Sequence, residues 1–347
     1  MIQKLSKIII LIIAILFISN NTYADTLPYI GAESYIAIDA DSGRIISSKN
    51  ADKKMPMAST TKIMTSILAI ENTKNLNSII EIPESCTNIE GSSLYLKPKQ
   101  KVSKIDLLYG TMLRSGNDAA LAVANFAGKN NIENFIEMMN NKAKDIGAYN
   151  TNFTNPNGLH NDNHYTTAYD LALIGKYAMQ NDVFREISSA KLYKANSLNT
   201  TIYNKNKVVH QYSGGTGIKI GYTKTAGRCL VASAKNQNTE IIVVLLNDNN
   251  WFNDSYKIFD WAFENYKYTK IIDKHQYVGD GINDEPVFTS EDFSYLLTEE
   301  ELDNIKFVPH YTIPHISNDQ NFIINGYYDI FIGDELIHTG KLISRLK

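Results

Sequence analysis

The chain has 347 residues, 44% of them apolar and 20% charged, with a formal net charge of −3. This is ordinary globular composition, long enough for one large domain and a small one. The charge makes no electrostatic case for nucleic acid, which calls for a clustered basic face.

At the N-terminus, Lys4 and Lys7 precede an unbroken apolar run from Ile8 to Ile18, then polar residues and Thr22-Tyr23-Ala24. This basic, apolar and small-residue order is that of a secretory signal over residues 1–24, with cleavage after Ala24. The run is short of the roughly 20 apolar residues of a spanning helix, and an uncleaved anchor is the alternative. Ser34 to Asp39 alternates into the turn Ala40-Asp41-Ser42-Gly43 and Arg44 to Ser48 returns, which predicts a hairpin. Helices are expected over Thr60 to Glu71 and Asp118 to Ala127, within a mostly helical middle. His160 and His164 fall in a polar, Asn-rich loop and read as solvated side chains rather than metal ligands.

Three strands are expected late, over Thr216 to Thr223, Cys229 to Ala234 and Ile241 to Leu246. Phe252, Tyr256, Phe259, Phe263 and Tyr266 then recur at helical spacing and predict a buried aromatic stripe. An α/β (α+β) architecture follows, with an antiparallel sheet from both chain ends and helices inserted between. From about Lys270 the periodicity stops and aromatic, β-branched and acidic residues dominate, with strands such as Tyr327 to Ile332 and Glu335 to Thr339. The expected division is a main domain over 25–269 and a small all-β domain over 270–347. Cys86 and Cys229 have neither zinc-like spacing nor a separation that predicts a disulfide.

Three short elements carry chemistry. Ser59-Thr60-Thr61-Lys62 sets a serine and a lysine three residues apart at a helix start, on one helix face. A serine is a poor nucleophile until a neighbouring base takes its proton, which a neutral lysine can do. The helix N-terminus also favours negative charge developing at Ser59. The same spacing recurs at Ser188-Lys191 and Ser344-Lys347, but only Ser59 is followed by an apolar helix fit for a central position. Ser115-Gly116-Asn117 offers a hydroxyl to relay a proton and an amide to hold a carbonyl, although a plain turn before a helix reads the same way. Lys219-Ile220-Gly221 adds a second cation that would depress the pKa of Lys62, and a glycine at a strand edge where substrate could approach. Lys224-Thr225 nearby lacks the glycine.

In this order the elements resemble those of penicillin-binding proteins and serine β-lactamases. The longer strings, Met57 to Thr65, Leu113 to Ala119, Asn155-Pro156-Asn157-Gly158-Leu159, Tyr165 to Ala172 and Gly217 to Thr223, resemble the low-molecular-mass D-alanyl-D-alanine carboxypeptidases, over roughly residues 30–268. The resemblance implies a β-lactamase/transpeptidase-like fold and a small C-terminal β-domain. It implies Ser59 as nucleophile, Lys62 as base and Ser115 as proton relay. Asn117, Lys219, Gly221, Tyr222 and Thr223 would bind substrate, with the Ser59 and Tyr222 N–H groups as an oxyanion hole. The implied substrate is a peptidoglycan stem peptide ending in D-Ala-D-Ala, outside the cytoplasm, at the cell wall or peripherally on the membrane. β-Lactams would act as acylating inhibitors, and no metal or cofactor is required. Two departures stand out. Ile220 replaces a usual threonine or serine, which puts recognition of the terminal carboxylate in doubt, and no amphipathic helix precedes Lys347. A β-lactamase, or a wall-binding protein with decayed activity, are the competing readings.

Overall fold

β1 (Ser34–Asp39) and β2 (Ile45–Lys49) form the expected hairpin, which opens a chain described here by a computed structural model over residues 26–318 and 321–345. The candidate signal over 1–24 lies outside the described residues, as does Lys347 of the third Ser-x-x-Lys match. α1 (Lys62–Glu71) buries every residue from Lys62 to Ile70. Its apolar residues Ile63, Met64, Ile67, Leu68, Ala69 and Ile70 all join the main core, through which α1 runs. α2 (Asn117–Ala127) and α3 (Ala168–Met179) pack against it.

The last third of the main unit supplies β3 (Gly215–Thr223), β4 (Gly227–Asn236), β5 (Thr239–Leu246) and α4 (Trp251–Asn265). With the first hairpin they make a five-stranded antiparallel sheet in the order β2-β1-β5-β4-β3. Strand alternation divides its side chains between two cores. Ile36, Ile38, Val231, Ile242 and Val244 enter the helical core around α1, while Ala37, Leu230, Ala232, Val243 and Leu245 meet Ile258, Phe259 and Ala262 of α4. β5 is therefore buried along its whole length.

The aromatic stripe of α4 differs from expectation. Only Phe259 is fully buried, Phe252, Tyr256 and Phe263 are half-buried, and Tyr266 lies just beyond the helix. The deep contacts belong to smaller residues one position away, Ile258 and Ala262, so the wide rings lie along the flank of the interface.

Past α4 come β6 (Lys267–Ile272), β7 (Tyr277–Asp280), β8 (Pro286–Thr289), β9 (Phe293–Leu297), β10 (Ile305–Ile316), β11 (Phe322–Ile332) and β12 (Glu335–Arg345). β6 pairs with β9, and the others form a second antiparallel sheet in the order β7-β8-β12-β11-β10. Its core is small, built around Ile272, Val287, Tyr328, Ile330 and Leu342. Arg44, from the turn of the first hairpin, reaches the Leu296 carbonyl and the Glu301 carboxylate and sits over the rings of Tyr266 and Tyr295.

Candidate active site

The site begins where a tight turn meets the head of α1. Ala58–Thr61 form a single 3₁₀ turn, so α1 starts at Lys62 rather than at Thr60. Ala58 takes φ +47°, a left-handed conformation that costs a non-glycine residue roughly 1–2 kcal/mol. Neighbouring groups hold it there. Thr60 and Thr61 donate their hydroxyls to the Met57 and Ala58 carbonyls at 2.6 and 2.8 Å. Gly158, at φ +83°, lies so close that a Cβ on it would come within 2.0 Å of the Ala58 oxygen. On the other side, a Cβ on Gly221 would stand 2.8 Å from the Ser59 nitrogen and 3.0 Å from that of Thr60. Gly221 thus lets the edge of β3 lie directly against the Ser59 turn.

Lys62 is wholly buried, and its Nζ lies 2.9 Å from Ser59 Oγ and 2.7 Å from Asn117 Oδ1, and also contacts the Asn157 carbonyl. The Asn117 amide is oriented by its other end, where Nδ2 donates to the Glu90 carbonyl at 2.6 Å. Burial, and then the charge of Lys219, push the Lys62 pKa well below the usual lysine range, against an opposing pull from Asp118 and with a smaller push from Lys205.

Ser115 closes a π-turn over Gly110–Arg114 and adopts φ +66°. Such turns are frequent at functional sites. The buried Ser115 and Asn117 thereby flank the Gly116 cap of α2. Asp118, fully buried, accepts from Ser93 Oγ and from the Leu94 and Leu96 N–H groups at 2.7–3.1 Å, which fastens the 90–96 loop beside Asn117.

Lys219 lies opposite Val231 on the helical side of the sheet, next to a break in strand alternation. Ile218 has φ +90°, unusual for a β-branched residue, and enters the helical core although its partner across the ladder, Ala232, faces α4. Lys219 follows it, fully buried, with Nζ donating to the Ile220 carbonyl at 3.0 Å. Burial and the charge of Lys205 lower its pKa to about 7. Ile220 turns to the opposite face and packs half-buried against the α4 layer. Tyr222 is exposed, and the Thr223 hydroxyl accepts from the Ala226 N–H at 3.0 Å.

The structure thus draws Ser59, Lys62 and Asn117 into hydrogen-bonding distance, with Gly221 against them and Lys219 close enough to act electrostatically. The other serines lie elsewhere. Ser188 donates to the Arg185 carbonyl at 3.2 Å, and Ser344 sits in β12. Lys224 is exposed beyond the end of β3.

Several residues escaped sequence reasoning. His164 is not solvated: it is buried, with its ring between Thr61 and Thr154. His160, by contrast, is exposed as expected, 3.4 Å from Asp162. Lys205 and Arg114 are exposed cations near the site, and the Lys205 N–H donates to the Leu113 carbonyl beside the Ser115 turn. Among the described residues neither pairs with a carboxylate. Cys86 and Cys229 are buried free thiols.

A half-buried serine beside a fully buried lysine at the head of a central helix, walled by the edge strand of an antiparallel sheet, is the arrangement of the penicillin-binding-protein class. A family model for D-alanyl-D-alanine carboxypeptidases matches residues 21–250. The D-alanyl-D-alanine carboxypeptidase DacF of Bacillus subtilis is 31% identical over 265 residues, covering 71% of this chain and 66% of its own. DacC of Escherichia coli is 35% identical over 252 residues, covering 68% and 62%. The matches therefore span less than two thirds of these curated relatives. Penicillin binding protein 5 of Haemophilus influenzae superposes with a TM-score of 0.78 at 26% identity, over 92% of this chain and 98% of that one. The chain belongs to the D-alanyl-D-alanine carboxypeptidase family of serine peptidases.

Proposed function

We propose that this protein removes the terminal D-alanine from peptidoglycan stem pentapeptides through an acyl-enzyme on Ser59, and that penicillin acylates the same serine. The observation that carries this reading is the set of oxygens around Lys62. A neutral amine has two hydrogens and one lone pair. Asn117 Oδ1 and the Asn157 carbonyl can only accept, so they take both hydrogens, and the lone pair is left facing the Ser59 hydroxyl 2.9 Å away. Burial and the nearby cations favour that neutral state.

Ser59 attacks the carbonyl between the two D-alanines while its proton passes to Lys62. The Ser59 and Tyr222 N–H groups receive the oxyanion, an interaction that is often the largest single contribution to catalysis. Ser115 relays the proton to the departing D-alanine, Asn117 borders the acyl chain, and Lys219 supplies positive potential. Gly221 and Thr223 shape the strand edge along which the peptide lies. The exposed cations Lys205 and Arg114 offer anionic groups of the substrate a partner that Ile220 does not provide. Water then releases the tetrapeptide. Residues 150–172 contain no glutamate to activate that water as class A β-lactamases do.

We place the protein outside the cytoplasm after removal of residues 1–24, at the cell wall or the outer face of the membrane. In the same reading, residues 25–269 form the catalytic unit and 270–347 a separate β-rich unit. No helix among the described residues is long and apolar enough to cross a membrane. The test is D-alanine release from a diacylated Lys-D-Ala-D-Ala peptide, measured beside penicillin turnover. Peptide turnover with a long-lived penicilloyl adduct is expected. Fast penicillin hydrolysis without D-alanine release would identify a β-lactamase, and a stable adduct without peptide turnover a decayed enzyme.

A further inference from the structure

The geometry points to His164 as a positioning residue that holds the strained peptide unit in front of the nucleophile, through the hydroxyl of Thr61. The proposal deepens the reading of Ser59 as an acylated serine and rests on it.

The direction of each hydrogen bond follows from one group whose proton is fixed. The Thr154 backbone N–H donates to His164 Nδ1 at 3.0 Å. A backbone amide can only donate, so Nδ1 is the unprotonated nitrogen, and the proton of the neutral ring sits on Nε2. Nε2 lies 2.7 Å from Thr61 Oγ1 and therefore donates to it. The threonine hydroxyl has a single hydrogen, which is left to point at the Ala58 carbonyl 2.8 Å away. The chain Thr154 N–H, His164, Thr61, Ala58 C=O can run in one direction only.

Its end point is the left-handed residue next to Ser59. That carbonyl belongs to the same peptide unit as the Ser59 N–H, the proposed oxyanion donor. Holding the carbonyl oxygen fixes the plane of the unit and so the direction of the N–H on its other side. Oxyanion donors act by being aimed before charge develops. The ring itself is suited to a fixed role. Burial, followed by the charges of Lys62 and His160, holds its pKa down to about 4, so it stays neutral at working pH and its tautomer does not change. His164 touches no reacting atom, and the 154–164 loop that carries it also brings Asn157 to Lys62 and Gly158 to Ala58.

The experiment measures the rate of Ser59 acylation by a labelled penicillin, with each variant normalised to its titratable active sites, together with kcat and KM for a D-Ala-D-Ala peptide. The wild type is measured first. If it takes no penicillin label, the reading of the site itself fails, and that outcome is distinct from failure of the relay. Thr61→Val removes the hydroxyl and keeps the shape, His164→Phe removes both ring nitrogens, and Thr61→Ser keeps the hydroxyl. Both disruptive changes are expected to lower acylation and kcat about 10- to 100-fold, short of the 10²–10³ seen when an oxyanion donor is removed outright. KM should stay within about threefold, and Thr61→Ser should recover most of the loss. The double variant Thr61→Val with His164→Phe should be no slower than the worse single, because one chain is broken only once. Unchanged acylation per active site in Thr61→Val would overturn the proposal, as would losses that multiply in the double variant. So would a Thr61→Ser variant as slow as Thr61→Val.

Discussion

The two β-sheets of this protein have been put to opposite uses. The main sheet is buried on both faces along β5, and its edge strand brings a fully buried lysine to a second fully buried lysine. Burying two cations is costly unless they neutralise, and here it is Lys62, with its pKa well below the usual lysine range, that gives way, while the charge of Lys219 favours that outcome. The second sheet keeps a small core around Tyr328 and leaves Tyr311, Ile313, Ile316 and Tyr327 exposed along β10 and β11. One sheet is closed so that a charge state can be controlled, while the other is open and carries no comparable cluster among its described residues. The difference confines the buried lysine pair to the first sheet, away from the small core of the second.

Substitutions can break that separation. The largest effect is expected at the lysine that opens α1 beside the first sheet. Lys62→Ala should slow penicillin acylation roughly 10²- to 10⁴-fold, the usual range for losing a general base. Lys191→Ala, an exposed lysine in the Ser188 decoy, should match the wild type. Equal effects from the two would contradict the assignment. In the second sheet, Tyr328→Ala should cost about 3–5 kcal/mol of local stability, typical of a large aromatic removed from a core. Acylation should be unchanged, and a loss of acylation matching the loss of stability would join the two regions again.

Acid should act on the first region through His164. Its pKa is about 4 in the folded protein against an ordinary 6.5, so the unfolded chain binds more protons between those values. Stability is therefore fully present above pH 6.5 and falls as the pH drops toward 4, by on the order of 3 kcal/mol from this group. Thermal melts of the wild type and His164→Phe across that range should converge toward low pH, and parallel curves would contradict the buried neutral ring. The smallest effect is expected at Ile220, whose side chain faces the α4 layer. Ile220→Thr should cost under about 1.5 kcal/mol of stability and leave the peptide kcat/KM within roughly threefold. A selective rise of about 10- to 150-fold for substrates with a terminal carboxylate would instead show a missing hydroxyl contact, worth about 1.5–3 kcal/mol.

Much of this was legible in the sequence because local order carried it. The hairpin, α1 and the three late strands follow from turn residues and apolar periodicity, and the three short elements occur in order. The long-range consequences were not legible. Ile218 reads as an ordinary strand residue, and only its positive φ reveals that alternation is broken there, with Ile218 and Lys219 both turned to the helical side. His164 sits among Asn161, Asp162 and Asn163, so local composition suggested solvent, whereas its burial comes from a loop folding onto α1. Asp118 was visible only as the start of a helix, and its hold on the 90–96 loop spans more than twenty residues. The α4 rings were placed one position out because spacing identifies a face but not its centre.

The central claim is that a neutral, buried Lys62 makes Ser59 a nucleophile. It is tested most directly by digesting the penicillin-labelled protein and mapping the adduct by mass spectrometry, with the labelling rate followed across pH. The account predicts a single adduct on Ser59, with a rate whose acid limb lies well below the ordinary lysine pKa of about 10.4. An adduct on another residue, or a rate that rises only as an ordinary lysine deprotonates, would contradict it.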